Sequence, residues 1–192
     1  DKIQQREAEI TNYVMEALAQ NEQVVMLEPT LRDRLAIVSF YIPGAHYNLV
    51  VRLLNDKFGV QTRGGCSCAG TYGHILLNVD QDTSSKITQQ IDLGDFAEKP
   101  GWIRASFHPT SSDEEVAYVV EAINKVTENL ALWSKDYRFN PASGDYEHYN
   151  LDVEFPSLAC FHALPIISPE TNDNETSVNK VNPASMLRKL FG

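Results

Sequence analysis

The sequence GWIRASFHPTSSDEEVAYVV, residues 101–120, places a strand directly before a well-marked helix. Residues 102–107 alternate in polarity as a half-buried strand does. Ser112 and Glu115 have the spacing of a capping box, in which a hydroxyl and a carboxylate satisfy free backbone amides at a helix start. Apolar residues then recur at helical spacing to residue 130. This pairing of a strand with an amphipathic helix predicts an α/β fold.

The same alternation of strands and helices extends upstream. An amphipathic helix is predicted over residues 3–18, and Asn48 is the expected N-cap of a second helix that stops at Gly59. Short strands are predicted at residues 24–27, 34–42 and 60–63, with a weak helical pattern near residues 84–91. We therefore expect a small mixed or antiparallel sheet covered on one side by amphipathic helices.

The amino-acid composition of the chain changes near residue 136. A turn-rich segment at residues 140–145 and a polar segment at residues 169–182 flank an apolar run at residues 158–167. We predict one domain over residues 1–135 and a partly irregular C-terminal extension over residues 136–192. The chain begins without Met and in the middle of a helical pattern, which we interpret as part of a longer protein.

Composition excludes several classes of partner. The 192 residues are 43% hydrophobic and carry a formal net charge of −10, which argues against nucleic acid, since phosphate binding needs a basic surface. No apolar run approaches the roughly 20 residues of a membrane span, and neither a basic amphipathic segment nor a signal peptide is visible. We therefore expect no membrane partner. Three cysteines are too few for a disulfide framework, so we expect a cytoplasmic location.

Two of the three cysteines lie one residue apart in the sequence TRGGCSCAG, residues 62–70. A nearby cation such as Arg63 lowers a thiol pKa and favours the reactive thiolate. Paired glycines allow a tight turn or a close approach to a ligand. This pattern predicts a loop that presents a thiol, with Cys68 and Cys66 as the candidates.

Other interpretations of this loop stay open at this point. Cys66 and Cys68 could be ordinary loop thiols, or a redox pair, although their spacing is tight for a disulfide. A metal site would need two more ligands, of which only His74 is near in sequence. The loop and the apolar run at residues 158–167 could also be the docking surface of a non-catalytic interaction module.

Arg104 lies in the middle of the predicted strand, where an arginine is unusual. A half-buried guanidinium needs partners, and its planar fork suits the two oxygens of a carboxylate. The simpler alternative is a structural ion pair with one of the many acidic side chains. Together with a thiol loop, Arg104 suggests a site that holds an amino acid by its carboxylate.

These two motifs resemble the C-terminal small domain of the class V aminotransferase family. They are most similar to its cysteine desulfurase and selenocysteine lyase branch. There, an Arg-x-Gly-x-x-Cys loop precedes an Arg-Ala-Ser strand, which here are residues 63–68 and 104–106. The resemblance covers residues 3–132. It implies that Cys68 is the nucleophile that takes sulfur from the substrate as a persulfide, with Cys66 as a secondary candidate.

The resemblance also implies that Arg104 binds the α-carboxylate of an amino acid such as cysteine, with Arg63 beside it. It implies pyridoxal 5′-phosphate as the cofactor of the full-length protein, a Schiff-base lysine in a missing N-terminal large domain, and a homodimer. We therefore expect no cofactor on this chain alone. Cys66-Ser67 replaces the His-His pair of bacterial desulfurases, so an aminotransferase without desulfurase activity is the alternative.

Overall fold

The structure is a computed structural model. It describes residues 2–66, 70–97, 99–141 and 143–150, and of Gly70, Thr71 and His74 only the backbone. The chain divides into a compact unit, Asp1–Asp152, and a second unit, Val153–Gly192, so every described residue belongs to the first. Cys68, Cys160 and the apolar run at residues 158–167 lie outside the described residues.

Helices and strands alternate along the first unit. The helices are α1 (Lys2–Ala19), α2 (Tyr47–Phe58), α3 (Gly70–Leu76), α4 (Gln81–Asp92) and α5 (Asp113–Trp133), with a 3-10 turn at Ser134–Asp136. The strands are β1 (Val25–Met26), β2 (Ile37–Tyr41), β3 (Arg63–Gly65), β4 (Trp102–Ser106), β5 (Tyr137–Asn140) and β6 (Asp145–His148). The first four strands form an antiparallel sheet in the order β1-β2-β4-β3, and β5 and β6 form a separate hairpin.

One side of the four-stranded sheet carries the hydrophobic core. Val38 and Phe40 of β2 lie opposite Ala105 and Ile103 of β4, and these four side chains are at most 3% exposed. They belong to one buried cluster with apolar residues of α1, α2 and α5. Because side chains alternate across a strand, Ser39 and Arg104 lie on the other side of the sheet. The predicted α/β fold, with helices packed on one side of a small antiparallel sheet, is confirmed.

The ends of two helices show how the local sequence determines these elements. The predicted capping box of α5 is present: Ser112 Oγ accepts from the Glu115 amide, and the Glu115 carboxylate accepts from the Ser112 amide. Helix α2 ends at Gly59 with a φ of 66°, as predicted. Its start differs from the prediction, because His46 rather than Asn48 is the N-cap, and His46 Nδ1 accepts from the Asn48 amide.

Two parts of the fold were not predicted. Helix α3 follows the cysteine loop, and the β5–β6 hairpin packs against α2. The phenol of Tyr137 donates to Asp56 Oδ2 at 3.1 Å, and Asn48 Nδ2 donates to the Gly144 carbonyl at 2.7 Å. The hairpin is thus fixed to the outer side of α2 at two places.

None of the helices in the described ranges combines the length and the hydropathy that crossing a bilayer requires.

Candidate functional site

The sheet brings the two arginines predicted for the site together. Strands β3 and β4 are antiparallel, and Arg63 is the direct register partner of Arg104. Along the other edge of β4, Arg104 is also the register partner of Ser39 of β2. Side chains that face each other across an antiparallel pair share one face, with Cβ atoms roughly 4.5–5.5 Å apart. Ser39, Arg104 and Arg63 therefore form a polar row on the face opposite the core.

The surroundings of this row favour an anion. Arg104 is half-buried, and its Nε has no hydrogen-bond partner among the described residues. Arg63 is exposed, and the described part of the chain gives it no ion pair. Like charges directly opposite each other on a sheet repel, and a buried guanidinium without a partner is costly. An anion bound between the two side chains would remove both penalties.

Cys66 directly follows β3 and is half-buried. Its Sγ donates to the carbonyl oxygen of Pro100 at 2.7 Å and lies beside Gly73 of α3. Burial raises the pKa of the Cys66 thiol, while the positive charge of Lys99 lowers it in part. This environment keeps Cys66 as a thiol, whereas the thiolate is the nucleophilic form. The role of Cys66 as a secondary nucleophile stays a prediction.

Cys68 lies outside the described residues, so its predicted role is not tested by the geometry. The structure does place its neighbours: β3 ends at Gly65, and α3 begins at Gly70. Gly73 of α3 lies against the ring of Trp102, the residue that pairs with Gly65. The cysteine loop therefore joins the edge strand of the sheet to a short helix that packs against β4.

Sequence reasoning missed two residues near this site. Ser39 could have been found from the alternation of β2, since Val38 and Phe40 on either side of it are buried. Tyr47 lies against Gly64 and Gly65 of β3. No sequence pattern near Tyr47 could indicate this, because these glycines are distant from it in the sequence. In the described ranges, no three His, Cys, Asp or Glu side chains converge as metal ligands would.

Comparison with known proteins identifies relatives of this chain. The family model described as aminotransferase class-V matches residues 1–119. A probable cysteine desulfurase from Halobacterium salinarum is 29% identical over 131 residues, which cover 68% of this chain and 26% of that protein.

Solved structures give a similar result. The apo cysteine desulfurase from Thermococcus onnurineus NA1 aligns with a TM-score of 0.46 at 26% identity, over 67% of this chain and 26% of that one. The cysteine desulfurase CsdA from Escherichia coli aligns with a TM-score of 0.43 at 20% identity, over 66% of this chain and 25% of that one. The chain spans about a quarter of the length of these relatives.

Proposed function

Because the chain belongs to the class V aminotransferase family, we propose that it forms the substrate-side part of a cysteine desulfurase-like enzyme. In this proposal Arg104 binds the α-carboxylate of cysteine or a similar amino acid, and Arg63 assists it. The loop after β3 supplies the thiol that accepts sulfur, with Cys68 in that role.

The observation that carries the proposal is the register of β3 and β4, which sets Arg63 opposite Arg104 beside Ser39. A carboxylate can accept two parallel hydrogen bonds from one guanidinium, and the Arg104 Nε has no other partner in the described residues. The Ser39 hydroxyl is a further donor for such an anion. The planar, charged guanidinium of an arginine also binds an α-carboxylate in preference to a neutral group.

The described start of the thiol loop, Cys66, directly follows the strand that carries Arg63. Arg63 and Cys66 belong to one segment of four residues, and Cys68 follows two residues later. A guanidinium close to a cysteine favours the thiolate, which is the attacking species in sulfur transfer. Cys68 is preferred to Cys66 because the Cys66 thiol is half-buried and donates to the Pro100 carbonyl.

Class V aminotransferases are pyridoxal-phosphate enzymes, and a Schiff-base lysine is central to that chemistry. The lysines that the structure describes do not fit this role: all of them are exposed or only partly buried, namely Lys2, Lys57, Lys86, Lys99, Lys125 and Lys135. Lys57 and Lys99 lie over the rings of Trp133 and Phe96, and Lys125 pairs with Glu128. We propose that the cofactor lysine belongs to a separate large domain, in a protein that is a homodimer.

A carboxylate-binding arginine serves transamination equally well. The alternative function is therefore an aminotransferase without desulfurase activity. What favours it is the Cys66-Ser67 pair, which stands where the resembled desulfurases carry His-His.

The carboxylate site can be tested on this chain directly. Acetate is titrated into the protein while the Arg104 Nε–Hε signal is followed by ¹⁵N–¹H NMR. We expect a saturable shift of this signal and of the backbone amides of β4. The shift of the backbone amides should be lost in Arg104→Lys, because lysine keeps the charge but loses the fork. Arg138→Lys is the matched control, since Arg138 is exposed and faces Glu147. An Arg104 signal that acetate leaves unmoved would contradict the proposal.

The reaction is tested on the full-length protein, supplied with pyridoxal phosphate, L-cysteine and the thiol reductant dithiothreitol, which releases the persulfide sulfur as sulfide. Sulfide and alanine in equal amounts, both lost in Cys68→Ala, are the expected result. Transamination of keto acids that survives Cys68→Ala, with no sulfide from the parent protein, would establish the aminotransferase instead. Neither product with either set of substrates would refute both assignments.

A further inference from the structure

Tyr47, the first residue of α2, lies under the glycines of two strands. It is 7% exposed. A Cβ atom added at Gly64 would lie 2.8 Å from Tyr47 Cδ2, and one added at Gly101 would lie 2.5 Å from Tyr47 Cδ1. Real Cβ atoms do not approach a ring so closely, so the ring occupies the space that side chains at both positions would need. Gly64 belongs to β3, and Gly101 directly precedes β4.

The two backbone segments above this ring carry the two partners of the Cys66 hydrogen bond. Cys66 follows Gly65, whose added Cβ would lie 3.7 Å from Tyr47 Cε2, and Pro100 precedes Gly101. The Cys66 thiol donates to the Pro100 carbonyl at 2.7 Å. The Cδ1 edge of the Tyr47 ring therefore faces the segment that carries the carbonyl, and the Cδ2 edge faces the segment that carries the thiol.

On its other side, the Tyr47 ring is held by the hairpin through His46. The two rings stack with their centroids 4.5 Å apart and their planes at 26°. The His46 ring in turn lies 5.5 Å from Phe139 of β5 and 5.5 Å from Tyr146 of β6. A continuous line of aromatic contacts thus connects the β5–β6 hairpin to the start of the cysteine loop.

We propose that Tyr47 is the positioning residue of Cys66 at the start of the cysteine loop, and that the β5–β6 hairpin holds Tyr47 in place through His46. The ring keeps Gly65 and Gly101 at a fixed separation and so seats the Cys66 thiol on Pro100. This gives the residues after α5 a part in the site. The chemical purpose of the loop rests on the proposed function, whereas the positioning is measured independently of it.

The test uses the 192-residue chain with Cys68→Ser and Cys160→Ser, which leaves Cys66 as the one thiol. Its rate of reaction with a chromogenic aromatic disulfide is measured as a function of pH. In Tyr47→Ala we expect the rate at neutral pH to rise roughly tenfold or more and the apparent pKa of the thiol to fall, since tenfold corresponds to one pKa unit. Tyr47→Phe should stay within about twofold of the parent, because the ring is retained.

Two further variants separate positioning from general destabilisation. Leu18→Ala removes a fully buried side chain from α1 and should leave the Cys66 pH profile unchanged in the folded protein. Phe139→Ala, which removes a hairpin ring from His46, should move the profile in the same direction as Tyr47→Ala. An unchanged profile in Tyr47→Ala, or an equal change in Leu18→Ala, would overturn the proposal. If Tyr47→Ala does not fold, Tyr47→Leu takes its place with the same expectation.

A double-mutant cycle gives an independent check. Gly64→Ala should destabilise the parent but be better tolerated beside Tyr47→Ala, since the ring is the closest atom group to the new methyl. Gly101→Ala is the control, because its methyl would still meet the Gly65 Cα at 2.8 Å. Additive effects of Gly64→Ala and Tyr47→Ala would count against the ring as the spacer. Acetate binding at Arg104 tests the proposed function separately, so either idea can fail while the other stands.

Discussion

At the scale of single residues, Arg104 shows how a site can be costly to the fold that carries it. It faces Arg63 across the strand pair, and its Nε has no partner in the described part of the chain. A like-charged pair in this position opposes folding, so its presence is better explained by ligand binding than by stability. Both arginines occur in a chain whose net charge is −10, in which acidic side chains are abundant as partners elsewhere.

Replacing the guanidinium with an apolar chain of similar length should therefore stabilise the protein. For Arg104→Met we expect an increase of up to about 1 kcal/mol in the free energy of unfolding, because repulsion from Arg63 is removed. Acetate binding should be lost in the same variant. Urea denaturation measures the first effect, and an acetate titration followed on the backbone amides of β4 measures the second. A clear loss of stability would show that Arg104 has a counter-ion elsewhere in the chain.

His46 makes the stability of the chain depend on pH. Burial lowers the pKa of His46 from its ordinary value of 6.5, although the Phe96 carbonyl and Asp145 oppose this in part. The unfolded chain then binds a proton at His46 more readily than the folded chain does. The contribution of neutral His46 to the free energy of unfolding is therefore fully present above about pH 6.5 and falls as the pH drops below that value. Protonation would also remove the Nδ1 acceptor that caps α2.

Denaturation curves at several pH values check this expectation. His46→Asn keeps a capping acceptor without the titration, so its stability should fall less than that of the parent below about pH 6.5. His108→Asn is the matched control, since His108 is exposed and lies away from α2. Parallel pH profiles for the parent and His46→Asn would contradict the assignment.

At the scale of elements, local patterns predicted the three longest-patterned helices and the two central strands of the sheet. The helices α1, α2 and α5 and the strands β2 and β4 follow from periodicity and caps, which a short window of sequence contains. The cap at His46 was missed because asparagine is the stronger capping residue by preference. Here Asn48 lies inside the first turn of α2, and its Nδ2 donates to the Gly144 carbonyl. The β5–β6 hairpin was missed because its strands are short and its apolar partners lie on α2.

The candidate site residues came from the sequence and their roles stay predictions, whereas their geometry could not be predicted. The alternation of β4 indicated a half-buried Arg104, and the loop motif indicated Arg63. The pairing of the two arginines depends on the strand order β1-β2-β4-β3, in which β3 is an edge strand beside β4. Two helices and a loop separate β3 from β4 in the sequence. Register between strands that are distant in sequence depends on the packing of the whole sheet, so no local pattern contains it.

The attachment of the hairpin to α2 can be tested at Tyr137. Its phenol donates to Asp56, which also accepts from Arg52 Nε at 3.0 Å and from Asn55 Nδ2 at 2.9 Å. We expect Tyr137→Phe to cost about 1 kcal/mol, a typical net value for one hydrogen bond. Amide hydrogen exchange in β5 and β6 should quicken more than exchange in β2. Tyr149→Phe is the control, since Tyr149 is 60% exposed, and equal effects of the two variants would argue against this attachment.

At the scale of the whole molecule, the described residues include the arginine row proposed to bind substrate, but every lysine among them is exposed or only partly buried. The arginine row and the cysteine loop belong to one end of the β3–β4 pair, while the described lysines are dispersed over the surface. A lysine forms a stable Schiff base when burial or a neighbouring charge keeps its amine neutral. The chain also spans about a quarter of the length of its relatives, and in our proposal the cofactor-binding part lies in the large domain.

This division of labour predicts how the chain behaves with the cofactor. When the 192-residue chain is mixed with pyridoxal phosphate and dialysed, we expect no stoichiometric Schiff-base absorbance band and no sulfide from L-cysteine, because its exposed lysines react only weakly and reversibly. The full-length protein should show both. Acetate should nevertheless bind at Arg104 in the isolated chain, since the side chains proposed to hold it all belong to this chain. A one-to-one band that survives dialysis and is removed by a single lysine substitution in the chain would place the cofactor here and refute the proposed division.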